Sequence, residues 1–390
     1  MKKGIVALAL GTFGLGMTEY VMMSILPDLS HDFNVSIAEA GHLISAYAIG
    51  VCIGAPLVAV FLRNWRLKHI LMLLMVFYVI GNLLFASGST FMTGIVGRFI
   101  SGLPHGAFFG AGSIVASRLM PDKQTTAVAL MTLGMTIANL VGIPIGSYVA
   151  NTFNWRWIFY FDAVWGVVTF CSIWWLIKDM GALPKTTIKG EFKFLKRMAP
   201  WLLIIATVLC QGGAFAMYSY VSPIMSEAGL AMKYMPVMMI IVGAGMCLGN
   251  YYSGVVSDRI SPEKTTLIVA IVMTAALILT SIDTFNIWTA GTTVVIAATM
   301  LFALSSPMQL MLIEYSPGGE LMGGAMVQVA FNLGNALGAY FGGLPISAGF
   351  RPEASSVVGA VMTAMSIIVI LYFIHRYPAK STDDNRINPK

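Results

Sequence analysis

Charged side chains in the 390-residue chain are few, and those set inside apolar runs are the ones placed to do chemistry. Glu19 stands in the first run and Arg98 in the fourth. A carboxylate at the centre of a bilayer costs roughly 2.5–3.5 kcal/mol on insertion scales, so its retention has a reason. Desolvation and a nearby cation pull its proton affinity in opposite directions, and a carboxylate that exchanges protons at ordinary pH feels both. Depth points to the cation. Glu19 lies eight residues before Pro27, and Arg98 seven after Phe91. At about 1.5 Å per residue both lie about 10–12 Å below the same surface. The pair reads as a proton-coupling site, with a structural ion pair, or no contact between the two, as the alternatives.

His105 follows Arg98 by seven residues and shares its helix face two turns deeper. It is either a proton relay or solute contact, or a buried ring satisfied by a main-chain carbonyl that Pro104 frees. Asp162 lies about five residues into the sixth run, and the expectation is a place near the surface. Asn139, Gln328, Asn332 and Asn335 are polar positions suited to line a cavity or to bridge helices, as is Gln309. Tyr20, Tyr218, Tyr220 and Phe331 can stack on an amphipathic solute or simply pack.

These residues need spanning helices to hold them. Of the chain, 57% is hydrophobic and 10% charged, with a mean hydropathy of +0.81. Soluble domains carry about 25% charged residues, which excludes a soluble enzyme, a disordered chain and a nucleic-acid binder. Twelve runs reach the roughly 20 apolar residues a span requires. They begin near Ile5, Gly41, His69, Phe91, Thr126, Trp157, Pro200, Tyr234, Thr265, Asn286, Met322 and Ser355. No period-2 alternation suggests a barrel. The first run follows Met1-Lys2-Lys3 without a clear cleavage site and reads as a retained span.

With both termini in the cytoplasm, 19 of the 23 lysines and arginines fall on that side. Arg156, Lys233 and Arg351 fall outside, and Arg98 within a span. Such asymmetry orients membrane proteins, and it needs an even number of spans.

The longest polar link, 178–198, divides the chain into bundles at 1–177 and 199–376, with a tail at 377–390. A shift of 195 places Gly50, Cys52 and Gly54 on Gly245, Cys247 and Gly249. A shift of 196 places Asn139, Gly142 and Gly146 on Asn335, Gly338 and Gly342. Two helix pairs thus agree on a duplication of six spans, a recurring transporter plan. Cys52, Cys171, Cys210 and Cys247 form no C-x-x-C pair, and no metal site or cofactor is expected. No G-x-x-x-x-G-K-[ST] is present for ATP-driven work, and no G-x-S-x-G or H-E-x-x-H for hydrolysis.

Gly254-Val-Val-Ser-Asp258-Arg259 resembles the short loop motif of the major facilitator superfamily, which implies a gating role for Gly254, Asp258 and Arg259. The matching loop after span 2 is degenerate, with Ala59 and Arg63 in place of glycine and aspartate. Arg98-Phe-Ile-Ser-Gly102 is similar to a motif of proton-coupled members. Gly134 with Gly142-Ile-Pro144-Ile-Gly146 is similar to the antiporter motif, and Asn154-Trp155-Arg156-Trp157-Ile-Phe159 to the start of span 6 in drug:proton antiporters. Gly16-Met-Thr-Glu19, Gly102-Leu-Pro-His105-Gly106 and Ala330-Phe-Asn332-Leu-Gly334-Asn335 resemble the AraJ-type branch of sugar and drug exporters, chloramphenicol among their solutes.

The resemblance implies an all-α membrane fold of two pseudo-symmetric six-helix bundles. It also implies efflux of a small solute against protons from the bacterial inner membrane. The partners expected are a small molecule, protons and the lipid bilayer, for a monomer that is no enzyme. A proton symporter importing a sugar or nucleoside is the rival. A non-transporting receptor or sensor is the rival of another class.

The lysine and arginine asymmetry makes a direct prediction. Reporter fusions after Pro378 and within 178–198 will both report cytoplasm. A periplasmic signal at either contradicts the twelve-span reading.

Overall fold

The computed structural model describes residues 2–377 except 24, 36–39, 41, 63, 182–186, 188, 190–191, 232–233 and 283–285. Arg63 and the tail beyond Tyr377 therefore lie outside the described residues, as does part of the 178–198 link. Nine stretches are long and apolar enough to cross a membrane among the described residues. Lys2–Tyr20, His42–Phe61 and Glu320–Ser347 complete twelve spans. Unpartnered apolar side chains such as Val164, Ile271, Ile278, Ile368 and Leu371 cover the flanks, where lipid replaces water.

Several spans are broken. Span 1 runs Lys2–Tyr20, then a 3-10 turn at Val21–Met23, then Leu26–Asp32. Span 5 is Gln124–Ile137, a π turn at Ala138–Gly142, and Ile143–Thr152. Pro144 explains the π turn. It has no N–H to give the Leu140 carbonyl, and the Ile143 N–H reaches back five residues to Ala138 instead. Span 7 (Met198–Tyr218 and Val221–Glu227) and span 10 (Ile287–Ala303 and Ser305–Glu314) are interrupted too.

The duplication seen in the sequence recurs as paired contacts. Gly54 of span 2 lets the Leu103 main chain of span 4 approach, and Gly249 of span 8 does the same for Thr299 of span 10. Gly142 of span 5 packs on Met17 of span 1, and Gly338 of span 11 on Gly212 of span 7. A side chain at any of these four positions would meet main chain or a buried sulfur, so glycine here sets the interhelical distance. Spans 3 and 6 pair along their length, as do spans 9 and 12. One apolar core draws only on residues 199–373, and two others lie almost entirely within the first six spans.

The halves meet near the terminal face, the one on which Lys2 and Tyr377 lie. Gly110 of span 4 nests against Leu321 and Ala325 of span 11. Gly254 of span 8 sits against Ala129 and the Thr125 carbonyl of span 5. The Asp258 carboxylate accepts from the Thr125 and Thr126 main-chain N–H groups at 2.9 and 2.8 Å and from the Thr126 hydroxyl at 2.5 Å. It caps the start of span 5, where orphan N–H groups and the helix dipole favour an anion. Arg259 is exposed beside it. Deeper in, Asn250 accepts from Thr132 at 2.9 Å and Ser306 at 3.0 Å, and donates to the Ala129 carbonyl at 3.0 Å. Among the described residues these contacts reach up to Leu140 against Gly243, at mid-depth.

Loss of the Asp258 cap removes charge-assisted bonds that hold span 5 to span 8. The expected result for Asp258→Ala is a loosening of about 1–3 kcal/mol, a change of about 5- to 150-fold in the balance of closed and open forms. Spin labels at the terminal-face ends of spans 5 and 8 will then show a second, longer distance. A distribution identical to wild type contradicts the clasp.

Candidate functional site

The broken middle of the bundle leaves a small central cavity of about 40 Å3. Glu19 and Tyr20 come from span 1 and Met135 from span 5. Gln211 and Phe215 come from span 7, and Leu301, Phe302 and Ser305 from the break in span 10. Gln328, Phe331, Asn332 and Asn335 come from span 11, at the i, i+3, i+4 and i+7 spacing of one helix face. The lining is one carboxylate, one phenol and several amides among aromatic and aliphatic walls. Apolar walls with a few convergent polar groups are the usual lining of a small-molecule site.

Of the positions expected from sequence, Glu19, Tyr20, Gln328, Asn332 and Asn335 line this cavity, as does Phe331. Asn139 turns its amide back to the Met135 carbonyl at 3.4 Å. Tyr218 packs edge-on to Phe215, and Tyr220 donates to the Ala339 carbonyl at 2.9 Å. Gln309 donates to the Gly324 carbonyl at 2.5 Å, bridging spans 10 and 11 away from the cavity. The antiporter-like stripe serves span 1. Gly134 accommodates the Ala9 carbonyl, Gly142 accommodates Met17 and Gly146 accommodates Val21. It thereby brings the segment holding Glu19 against span 5.

Glu19 has a second neighbourhood behind the cavity wall. Its side chain is 13% exposed, and Oε2 lies 3.6 Å from His105 Nδ1. His105 is wholly buried, bonded through Nδ1 to the Tyr47 hydroxyl at 2.8 Å and stacked on Phe109. Its partner is a side chain rather than the carbonyl that Pro104 was expected to free, because span 2 presents Tyr47 at the level of the ring. Arg98 is 1% exposed, and its guanidinium carbon lies 4.4 Å from the centre of the Tyr47 ring. It donates to the Thr18 carbonyl at 2.7 Å and to the Leu43 carbonyl at 3.3 Å.

The depths of Glu19 and Arg98 match, but no ion pair joins them among the described residues. Glu19 lies nearest His105, while Arg98 bonds main-chain oxygens on spans 1 and 2 and acts on the carboxylate through space. The ion-pair lock between the two helices is therefore absent among the described residues, and Arg98 instead ties span 4 to span 1 through the Thr18 carbonyl.

Asp162 is not at the surface. It is fully buried between spans 1, 3 and 6, beside Thr18, Tyr78 and Arg98. The reason is the Trp155-Arg156 pair nearly two turns before it. Both residues donate to the Asp32 carboxylate, Trp155 at 3.2 Å, and Arg156 also reaches the Gly88 carbonyl at 3.0 Å. Span 6 is thus pinned to the ends of spans 1 and 3, with Asp162 turned inward. Tyr47, Gln211 and Ser305 were also missed. Gln211 carried a usable signal, a lone amide inside an apolar run; Tyr47 and Ser305 did not differ from packing residues.

Comparison with known proteins agrees with this architecture. The model of the Major Facilitator Superfamily matches residues 8–327. The chain is 41% identical to the transporter AraJ of Escherichia coli K12, over 100% of this chain and 99% of that one. It is 34% identical to the inner membrane transport protein YdhP of the same organism, over 96% of each. Among solved structures, the Escherichia coli fucose:proton symporter FucP superposes with a TM-score of 0.77 at 14% identity, covering 95% of this chain and 98% of that one. Twelve spans, two like halves, a central cavity and these relatives describe a multi-pass membrane transporter rather than an enzyme, and the chain belongs to the major facilitator superfamily.

Proposed function

We propose that this transporter exports a small neutral or monocationic organic solute, sugar-like or amphipathic, in exchange for protons across a bacterial inner membrane. The observation that carries this reading is the double exposure of Glu19. One face of its carboxylate lines the solute cavity, and the other lies 3.6 Å from His105 in a buried cluster that includes Arg98. A proton and a solute thereby act on the same group. With Glu19 ionised, solute hydroxyl or amine groups have an acceptor on the cavity wall. A proton arriving from outside cancels that charge and releases the solute.

The two bundles, taken as 1–177 and 199–376, rock about the cavity, with 178–198 and the tail 377–390 in the cytoplasm. In this orientation the terminal face is cytoplasmic. Its contacts at Asp258, Asn250 and Gly110 close that side, so the described arrangement faces outward. One proton crossing about 100 mV releases roughly 2.3 kcal/mol. At about 1.36 kcal/mol per tenfold, that supports on the order of a 50-fold solute gradient. The unit that transports is a monomer, since each chain carries a whole cavity.

Among the described residues, Glu19 is the only carboxylate lining the cavity. A dication would leave its second charge unanswered in a low-dielectric site, which costs several kcal/mol. In cells expressing the protein, a panel of matched compounds will show export of neutral phenicols and monocations and little export of dications. Dications exported as well as neutral compounds contradict this reading. Glu19→Gln, which keeps size and hydrogen bonding but cannot titrate, will reach the membrane at wild-type levels and lose at least about tenfold in uphill export. Wild-type accumulation by that variant contradicts coupling through Glu19.

A further inference from the structure

Asp162 is a second acid in the membrane interior that the transport reading does not use. It is fully buried, and neither carboxylate oxygen has a hydrogen-bond partner. The two hydroxyls beside it are committed elsewhere. Thr18 donates to the Asn82 side chain, and Tyr78 donates to the Gly14 carbonyl at 2.8 Å. Arg98, the one buried lysine or arginine among the described residues, is also incomplete, because its Nη2 has no partner there. An ionised carboxylate left without a donor in such a site is strongly disfavoured, whereas a neutral carboxylic acid fits it.

The charge balance extends this to Glu19. Arg98 is the one buried lysine or arginine among the described residues. His105 supplies a ring already bonded to Tyr47. One guanidinium compensates one carboxylate, not two. Span 3 presents Tyr78, span 4 presents Arg98, and span 2 presents the more distant Tyr47. Span 1 presents Thr18, and the outer segment of span 5 holds no charged side chain, its Tyr148 being exposed.

We propose that Asp162 is a second proton-binding site, linked to Glu19 through Arg98, so that the N-terminal bundle shares one proton between two carboxylates. When Glu19 is ionised, Arg98 answers it and Asp162 carries the proton. When Glu19 takes a proton from the outer side, Asp162 gives up its own to water, Arg98 is free to answer the new carboxylate, and the Thr18 and Tyr78 hydroxyls can turn to it as donors. Asp162 lies outside the cavity lining, so the solute does not touch it. Its contribution is to set how tightly Glu19 holds its proton while keeping the net charge of the buried cluster constant.

The test uses the purified full-length protein in lipid without any solute, so its outcome is separate from that of the export experiments. Infrared difference spectra recorded between about pH 5 and about pH 9 report the C=O stretch of protonated carboxyl groups. Wild type will show a titrating carboxylic-acid band that is absent in Asp162→Asn, the isostere of the protonated side chain. In Glu19→Gln that band will persist, and Asp162 will give up its proton about tenfold or more readily, since Arg98 then serves it alone. Asp162→Glu, which moves the carboxyl by one methylene, will shift the band and identifies it should Asp162→Asn fail to fold. Spectra in which no titrating band responds to either Asp162 variant overturn the proposal. So does an Asp162 band whose midpoint is the same in wild type and Glu19→Gln.

Discussion

The interior of a bilayer admits charge only where another charge or a set of dipoles answers it, and the first six helices are arranged around that constraint. Arg98 is buried on span 4 with two carboxylates in its field, one from span 1 and one from span 6. Carbonyls of Thr18 and Leu43 and the faces of Tyr47 and Phe85 hold it in place. The polar cluster is under-satisfied: Glu19 Oε2, Arg98 Nη2, His105 Nε2 and both Asp162 oxygens are without hydrogen bonds. Buried polar groups are nearly always paired, and a concentration of exceptions marks a place where protonation or binding completes the set.

Packing places this cluster against the cavity. Small residues bring span 1 into contact with span 5 and span 11 into contact with span 7, so two helix pairs related by the duplication flank the same space. Breaks in spans 1, 5, 7 and 10 lie near it, where unwound backbone borders a cavity rather than lipid. The clasp at the terminal face closes one side with side-chain bonds to main chain, which can part without unfolding either half.

Much of this was legible in the sequence, and the failures have a common cause. The spans, the duplication and its two registers followed from apolar length and glycine spacing. Glu19 stood out because a carboxylate in an apolar run is expensive. Asp162 was misread because distance from a helix end measures depth, while burial depends on which face turns inward. That turn is fixed by Trp155 and Arg156 meeting Asp32 across 123 and 124 residues, a pairing that no local pattern encodes. Matching depths likewise placed Glu19 and Arg98 at one level but could not show His105 nearer to the carboxylate. Uncharged Tyr47 and Ser305 carry no signature apart from ordinary packing, and only tertiary contact reveals them.

The central claim is that solute movement is tied to proton movement at the Glu19 wall of the cavity. Proteoliposomes holding the purified protein, given a pH gradient and a radiolabelled neutral phenicol, measure this directly. The gradient should drive the solute uphill through wild-type protein and should not do so through Glu19→Gln, while exchange of labelled for unlabelled solute continues in both. Equal uphill accumulation by the two proteins, or wild-type accumulation that ignores the gradient, would contradict the account.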